Sequence, residues 1–171
     1  MGFVDSVSSG VGALVRTVVD HTPRATTVQS ITIGRPRTEV LQFWADPGRL
    51  SQVLGDRADV EHTEADDYRW TVDVGAAGSL EWRTTLERED GTMRFVGVDG
   101  GGAHAELLLR FADAPQDLGT EVTARIVAPI PRALAGALAY AALYRSRALL
   151  LTGELPTLDH NPSGRAPAPR A

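Results

Sequence analysis

A chain of 171 residues, with 43% hydrophobic and 23% charged side chains, has the make-up of one globular domain with tails, and on folding it buries about two thirds of its unfolded surface. It has no cysteine, which excludes disulfides, thiolate metal sites and cysteine nucleophiles, and all 17 basic residues are arginine, which excludes lysine Schiff bases and a P-loop. The net charge of −5 argues against nucleic acid, whose binding rests on cations that neutralise phosphates.

In residues 4–19 the apolar positions Val4, Val7, Val11, Leu14, Val15 and Val18 recur at spacings of three and four, the stripe of an amphipathic helix. Three roles are open for this N-terminal segment (1–24): docking on the domain or on a second copy of the chain, a frayed tail, or a helix lying on a membrane surface. Residues 25–34, ATTVQSITIG, alternate and are rich in β-branched side chains, so a strand is expected. RPRTEVLQFWAD follows as a short helix whose apolar face is Val40, Leu41, Phe43 and Trp44, and PGRLSQVL (47–54) as a second after a Pro-Gly break.

Short strands come next, at 57–64, 68–74, 79–89, 92–98, 104–112 and 120–128, separated by turn-forming stretches such as EDG and DAPQDLG. Alternation turns Tyr68, Trp70, Val72 and Val74 to one face, with Arg69, Thr71 and Asp73 on the other. Likewise Leu80, Trp82, Thr84 and Leu86 point inward while Glu81, Arg83, Thr85 and Glu87 point out. Strands of this kind joined by tight turns give an antiparallel meander with one wet face. A helix of about 21 residues, or about 31 Å, then runs from behind Pro131 to a left-handed cap at Gly153. Residues 154–171, rich in Pro, Gly and Ala, read as a tail.

Within the long helix, residues 133–144 (ALAGALAYAALY) carry no charge. They are too few to cross a bilayer, so the helix is expected to be covered by the sheet. No run elsewhere reaches about 18 apolar residues, and the basic start of a signal peptide is missing because Asp5 precedes any cation; the expected location is cytoplasmic. The fold class is therefore α+β: an antiparallel sheet of about seven strands wrapped around a long C-terminal helix, with two short helices after the first strand.

This helix-grip order, together with ITIGRPRTEVLQFWADPGRL, SLEWRTTLERE and RALLLTGELPT, resembles the START-like or SRPBCC superfamily, and within it the bacterial polyketide cyclase/dehydrase and coenzyme Q-binding-like branch. The resemblance covers roughly residues 25–165 and places the domain at 25–153. It implies a cavity between helix and sheet that accepts lipids, quinones or polyketide-like molecules.

The residues themselves point to the same space. The helix's many alanines cannot fill a wide sheet, so either the sheet closes on them or a void remains for a hydrophobic small molecule. Trp70, Trp82, Phe95 and Leu109 from the sheet, with Tyr140 and Tyr144 from the helix, are the residues expected to line it. No catalytic set is legible: there is no G-x-S-x-G elbow, and no cofactor or metal site is expected, since His21, His62, His104 and His160 lack ligand spacing. The acids Asp56, Asp59, Glu61, Glu64, Asp66 and Asp67 lack the D-x-D-x-D-G calcium pattern and suit a solvated strand edge. A binding or carrier domain is the first reading. A cyclase/aromatase-type enzyme, marked by an inward Arg, Tyr or acid, and a structural module with a filled core, dimeric through residues 4–19, are the alternatives.

Overall fold

A computed structural model of the chain describes residues 25–98 and 104–156. The readings made for residues 4–19, for His21 and His160 and for the tail beyond residue 156 lie outside the described residues.

The expected order of elements is present. Strand β1 (Ala25–Ile33) leads into helix α1 (Arg37–Ala45), which starts directly after Pro36, and helix α2 (Pro47–Leu54). Asp46 separates the two helices by holding an extended conformation and accepting the Arg49 N–H at 3.1 Å, which caps α2 with Pro47 at its first position. The meander follows: β2 (Ala58–Glu64), β3 (Asp67–Asp73), β4 (Ser79–Glu89), β5 (Thr92–Gly97), β6 (Glu106–Asp113) and β7 (Thr120–Ala128). Helix α3 (Arg132–Thr152) closes the domain, and Gly153, at φ 74°, caps it by donating its N–H to Leu149 O at 2.9 Å.

All seven strands form one antiparallel sheet in the order β1-β7-β6-β5-β4-β3-β2, so β1 crosses the whole molecule to pair with β7. The turn before β7 is fitted closely to the end of β1. Gly119 sits at φ 104°, and a Cβ there would lie 2.2 Å from the Ile33 carbonyl oxygen, so only glycine is accommodated. The free edge of β2 is covered by α2: the Ser51 hydroxyl accepts the Val60 N–H at 2.8 Å and donates to the Val60 carbonyl at 3.0 Å.

The core lies on the concave side of the sheet. Ile33, Leu50, Phe95 and Leu109 are fully buried there, each worth about 1.5–3 kcal/mol of transfer free energy. Helix α3 is tied down at three places. Gln29 Nε2 donates to Gly136 O at 3.0 Å, Arg145 Nη1 to Val53 O at 3.1 Å, and Arg35 Nε to Leu150 O at 2.8 Å.

One expectation is corrected here. The sheet does not cover α3 all round. Ala135, Leu138, Ala139, Ala142, Leu143, Ser146 and Leu149 are buried, whereas Ala133, Ala137, Tyr140, Tyr144, Arg147 and Leu151 form an exposed stripe. The helix rests against the β1 side of the sheet, as the Gln29–Gly136 bond shows, and a single sheet covers a single face of a helix lying on it.

Candidate functional site

Between α3 and the concave face of the sheet lies a cavity of about 80 Å³. Its existence follows from side-chain size. Four inward residues of α3 line it, and three of them, Ala135, Ala139 and Ala142, are too short to reach the sheet; the fourth is Leu138. The opposite wall is aromatic: Trp70 from β3, Trp82 from β4 and Phe95 from β5, all placed inward by strand alternation. Trp44 of α1 and Leu50 and Leu54 of α2 close one side, and Ala124, Ile126 and Ala128 of β7 another. All three tryptophans of the chain therefore stand on this one cavity.

The aromatic wall is rigidly built. Trp70 and Trp82 face each other across β3 and β4 with parallel rings, centroids 6.5 Å apart, and Phe95 meets Trp70 edge-on at 5.4 Å. Trp70 Nε1 donates to the Thr84 hydroxyl at 2.8 Å, a buried bond that fixes the ring's orientation. Thr84 also lines the cavity and is 2% exposed. Trp44, equally buried, has an indole N–H with no hydrogen-bond partner among the described residues.

Among the described residues the wall carries one ionisable side chain, Glu106, and its carboxylate is engaged outside by Arg94 at 2.7 Å and Arg125 at 3.8 Å. Arg83 and Arg110 both stand on the exposed face of the sheet. A buried tyrosine, Tyr68, sits nearby against Phe95, with its hydroxyl donating to Ala45 O at 2.9 Å, and burial raises its pKa above the ordinary 10.0 while Arg88 opposes the shift. Tyr68 is not among the cavity-lining residues.

Of the residues expected to line the site, the structure brings Trp70, Trp82 and Phe95 together on the cavity. Leu109 is fully buried but packs in the core beside the cavity. Tyr140 and Tyr144 are corrected: they are 62% and 47% exposed, stack on one another at 5.9 Å on the outer face of α3, and take no part in the cavity. Their spacing of four does put both on one helical face, but the alanines take the inner one. Sequence reasoning did not place Trp44 and Thr84 in the site, although the apolar face of α1 and the alternation of β4 carried the signal for both.

His62 on β2 and His104 ahead of β6 are held apart by β3, β4 and β5. Among the described residues no three His, Asp or Glu side chains gather to hold a metal ion, and no helix is long and apolar enough to cross a membrane. The acidic run at 56–67 is partly paired: Asp66 with Arg88, Glu61 with Arg69 at 3.6 Å, and Asp67 with the Thr85 hydroxyl at 2.6 Å.

No family model matches the chain, and no curated protein matches its sequence. Its structure is similar to several solved ones. A crystallised protein from Deinococcus radiodurans shares 22% identity and a TM-score of 0.61, over 76% of this chain and 100% of that one. An AHSA1-like protein from Aeromonas hydrophila shares 17% identity and a TM-score of 0.54, over 80% and 99%. The KanY protein shares 11% identity and a TM-score of 0.61, over 75% and 99%. The likeness is one of fold: an α+β helix-grip, an antiparallel sheet against a long C-terminal helix.

Proposed function

We propose that this protein binds a small hydrophobic molecule in the cavity between α3 and the sheet, as a binding or carrier domain. The observation that carries the reading is the cavity itself: an aromatic and aliphatic space faced by alanines, with no free charge on its described wall. Such a space repels water, whose two to four hydrogen bonds it cannot satisfy, and favours an apolar guest. The fold likeness agrees with what the sequence resemblance implies.

The volume limits the guest. At about 80 Å³ the cavity is roughly half the size of an apolar cavity of about 150 Å³ that takes up benzene. Guests of more than a few heavy atoms therefore need the wall to open. Leu107 and Ile126, partly buried and on the cavity wall, are the side chains through which it would open. Cyclase-type catalysis calls for an inward titratable group, and the carboxylate of Glu106 is occupied by arginines outside; no observation favours that reading.

Native mass spectrometry of the purified protein, followed by extraction, tests the proposal. A discrete bound mass of an apolar compound is expected. Ala139→Leu, which fills the cavity from the helix side, is expected to abolish that mass while raising stability by up to about 2 kcal/mol, the cost of a void of this size. A clean unliganded mass, with no thermal shift from any of a panel of quinones, fatty acids and cyclic ketones, would sink the idea.

A further inference from the structure

The polar atoms on the cavity wall are not evenly matched, and the mismatch says what kind of guest fits. Thr84 is the one hydroxyl among the described lining residues. Its oxygen accepts the Trp70 indole N–H at 2.8 Å, so a lone pair is spoken for, while its own proton has no acceptor among the described residues. A second lining residue, Trp44, holds a buried N–H that also lacks a partner. Both unmet groups are donors. Buried donors without acceptors are uncommon, because each forfeits the hydrogen bond it made to water in the unfolded chain.

We propose that the cavity selects a neutral, apolar molecule bearing one hydrogen-bond acceptor, such as the carbonyl oxygen of a ketone, quinone or ester, and that the Thr84 hydroxyl donates to that oxygen. This rests on the binding role proposed above and deepens it. An anion is disfavoured because no cation stands among the described lining residues, and the lining carboxylate, Glu106, is paired with Arg94 and Arg125. A guest that can only donate could use the second lone pair of the Thr84 oxygen, but it leaves both the Thr84 proton and the Trp44 N–H without an acceptor. An acceptor-bearing guest completes a chain from the Trp70 indole through the Thr84 hydroxyl to its own oxygen, in which each hydrogen bond polarises the next. Trp70 is held in place by Phe95, so the hydroxyl it bonds is fixed before a guest arrives.

The test uses a pair of guests of one shape, cyclohexanone and methylenecyclohexane, which differ in C=O against C=CH2. Binding is read from the fluorescence and indole N–H resonances of the three tryptophans, all of which line the cavity. The quantity of interest is the ratio of the two affinities, because the cost of drying the carbonyl is the same in every variant. Thr84→Val is expected to lower that ratio by about tenfold, the reach of one hydrogen bond, whereas Thr84→Ser keeps it near the wild-type value. In the wild-type protein the ketone, and not the alkene, is expected to move the Trp70 indole proton downfield. That second reading stands even if Thr84→Val does not fold. If both guests bind, the ratio is the same in all variants and the indole proton responds equally to each, the acceptor selection is overturned and the binding role survives. If neither guest binds, both are overturned.

Discussion

Tyr68 shows how one side chain couples the core to pH. Its hydroxyl is bonded to Ala45 O and its ring is wedged against Phe95 and His62, so ionisation in the folded state carries a burial cost that Arg88 only partly offsets. The folded pKa is raised above 10.0, mainly by burial, so the unfolded chain loses this proton first. The stabilisation is complete below about pH 10 and is lost as pH rises through the raised folded value. Tyr68→Phe should therefore cost about 1 kcal/mol near neutrality, through the lost bond to Ala45, yet flatten the fall of stability above about pH 10. Urea unfolding at a series of alkaline pH values measures this, and parallel curves for the two proteins would exclude the role. The inward setting of Tyr68, Trp70, Trp82 and Thr84 was legible in the sequence because strand alternation has a period of two and leaves no choice of face. What each inward group meets was not legible. The bond from Trp70 to Thr84 joins diagonal neighbours on two strands, and it depends on a register that only the assembled sheet defines.

Among the elements, α3 is where the sequence misled. An alanine helix has no hydropathic contrast between its faces, so periodicity cannot say which side turns inward; the tyrosines suggested one face and the structure uses the other. The reason lies in packing. The concave face already holds Trp70, Trp82 and Phe95, and the residues of α3 opposite them are Leu138 and the small Ala135, Ala139 and Ala142. Two more aromatic rings on that side would not fit. Tyr144→Ala, and separately Tyr140→Ala, should change stability by no more than about 0.5 kcal/mol, as befits exposed positions. Buried tyrosines would lose about 3 kcal/mol or more, in the range of other large aromatic truncations. Thermal denaturation distinguishes the two, and a large loss would mean that the stripe is covered in solution.

For the whole molecule, the order of elements and the composition of the turns were enough to reach a helix-grip from the sequence. Solved proteins with 11–22% identity share that fold, which shows how little of it depends on particular side chains. The cavity depends on just those particulars. Whether a void remains is decided by how far the sheet curls toward α3, a sum of many small twists that no local pattern reports. The exterior is organised by charge: on the outer face Arg69 reaches Glu61 and Glu81, and Arg94 reaches Glu87 and Glu106. These are exposed pairs, each worth at most about 1 kcal/mol, and they bias the strands toward their register more than they hold the domain together.

The pairing of the first strand with the last bears on the order in which the molecule assembles. Strands β2 to β7 each lie beside their neighbours in the chain, but Ile33 meets Thr120 and Ala25 meets Ala128, contacts spanning about ninety to a hundred residues. Bringing such distant segments together costs more chain entropy than closing any of the hairpins, so the meander forms first and β1 arrives late. Pulse-labelled hydrogen exchange during refolding should protect the amides of β3–β6 before those of β1; simultaneous protection would contradict this order. Because Gln29 of β1 is one of the residues that seats α3, the helix settles only once that strand is in place. The pocket is the last part of the protein to come into being.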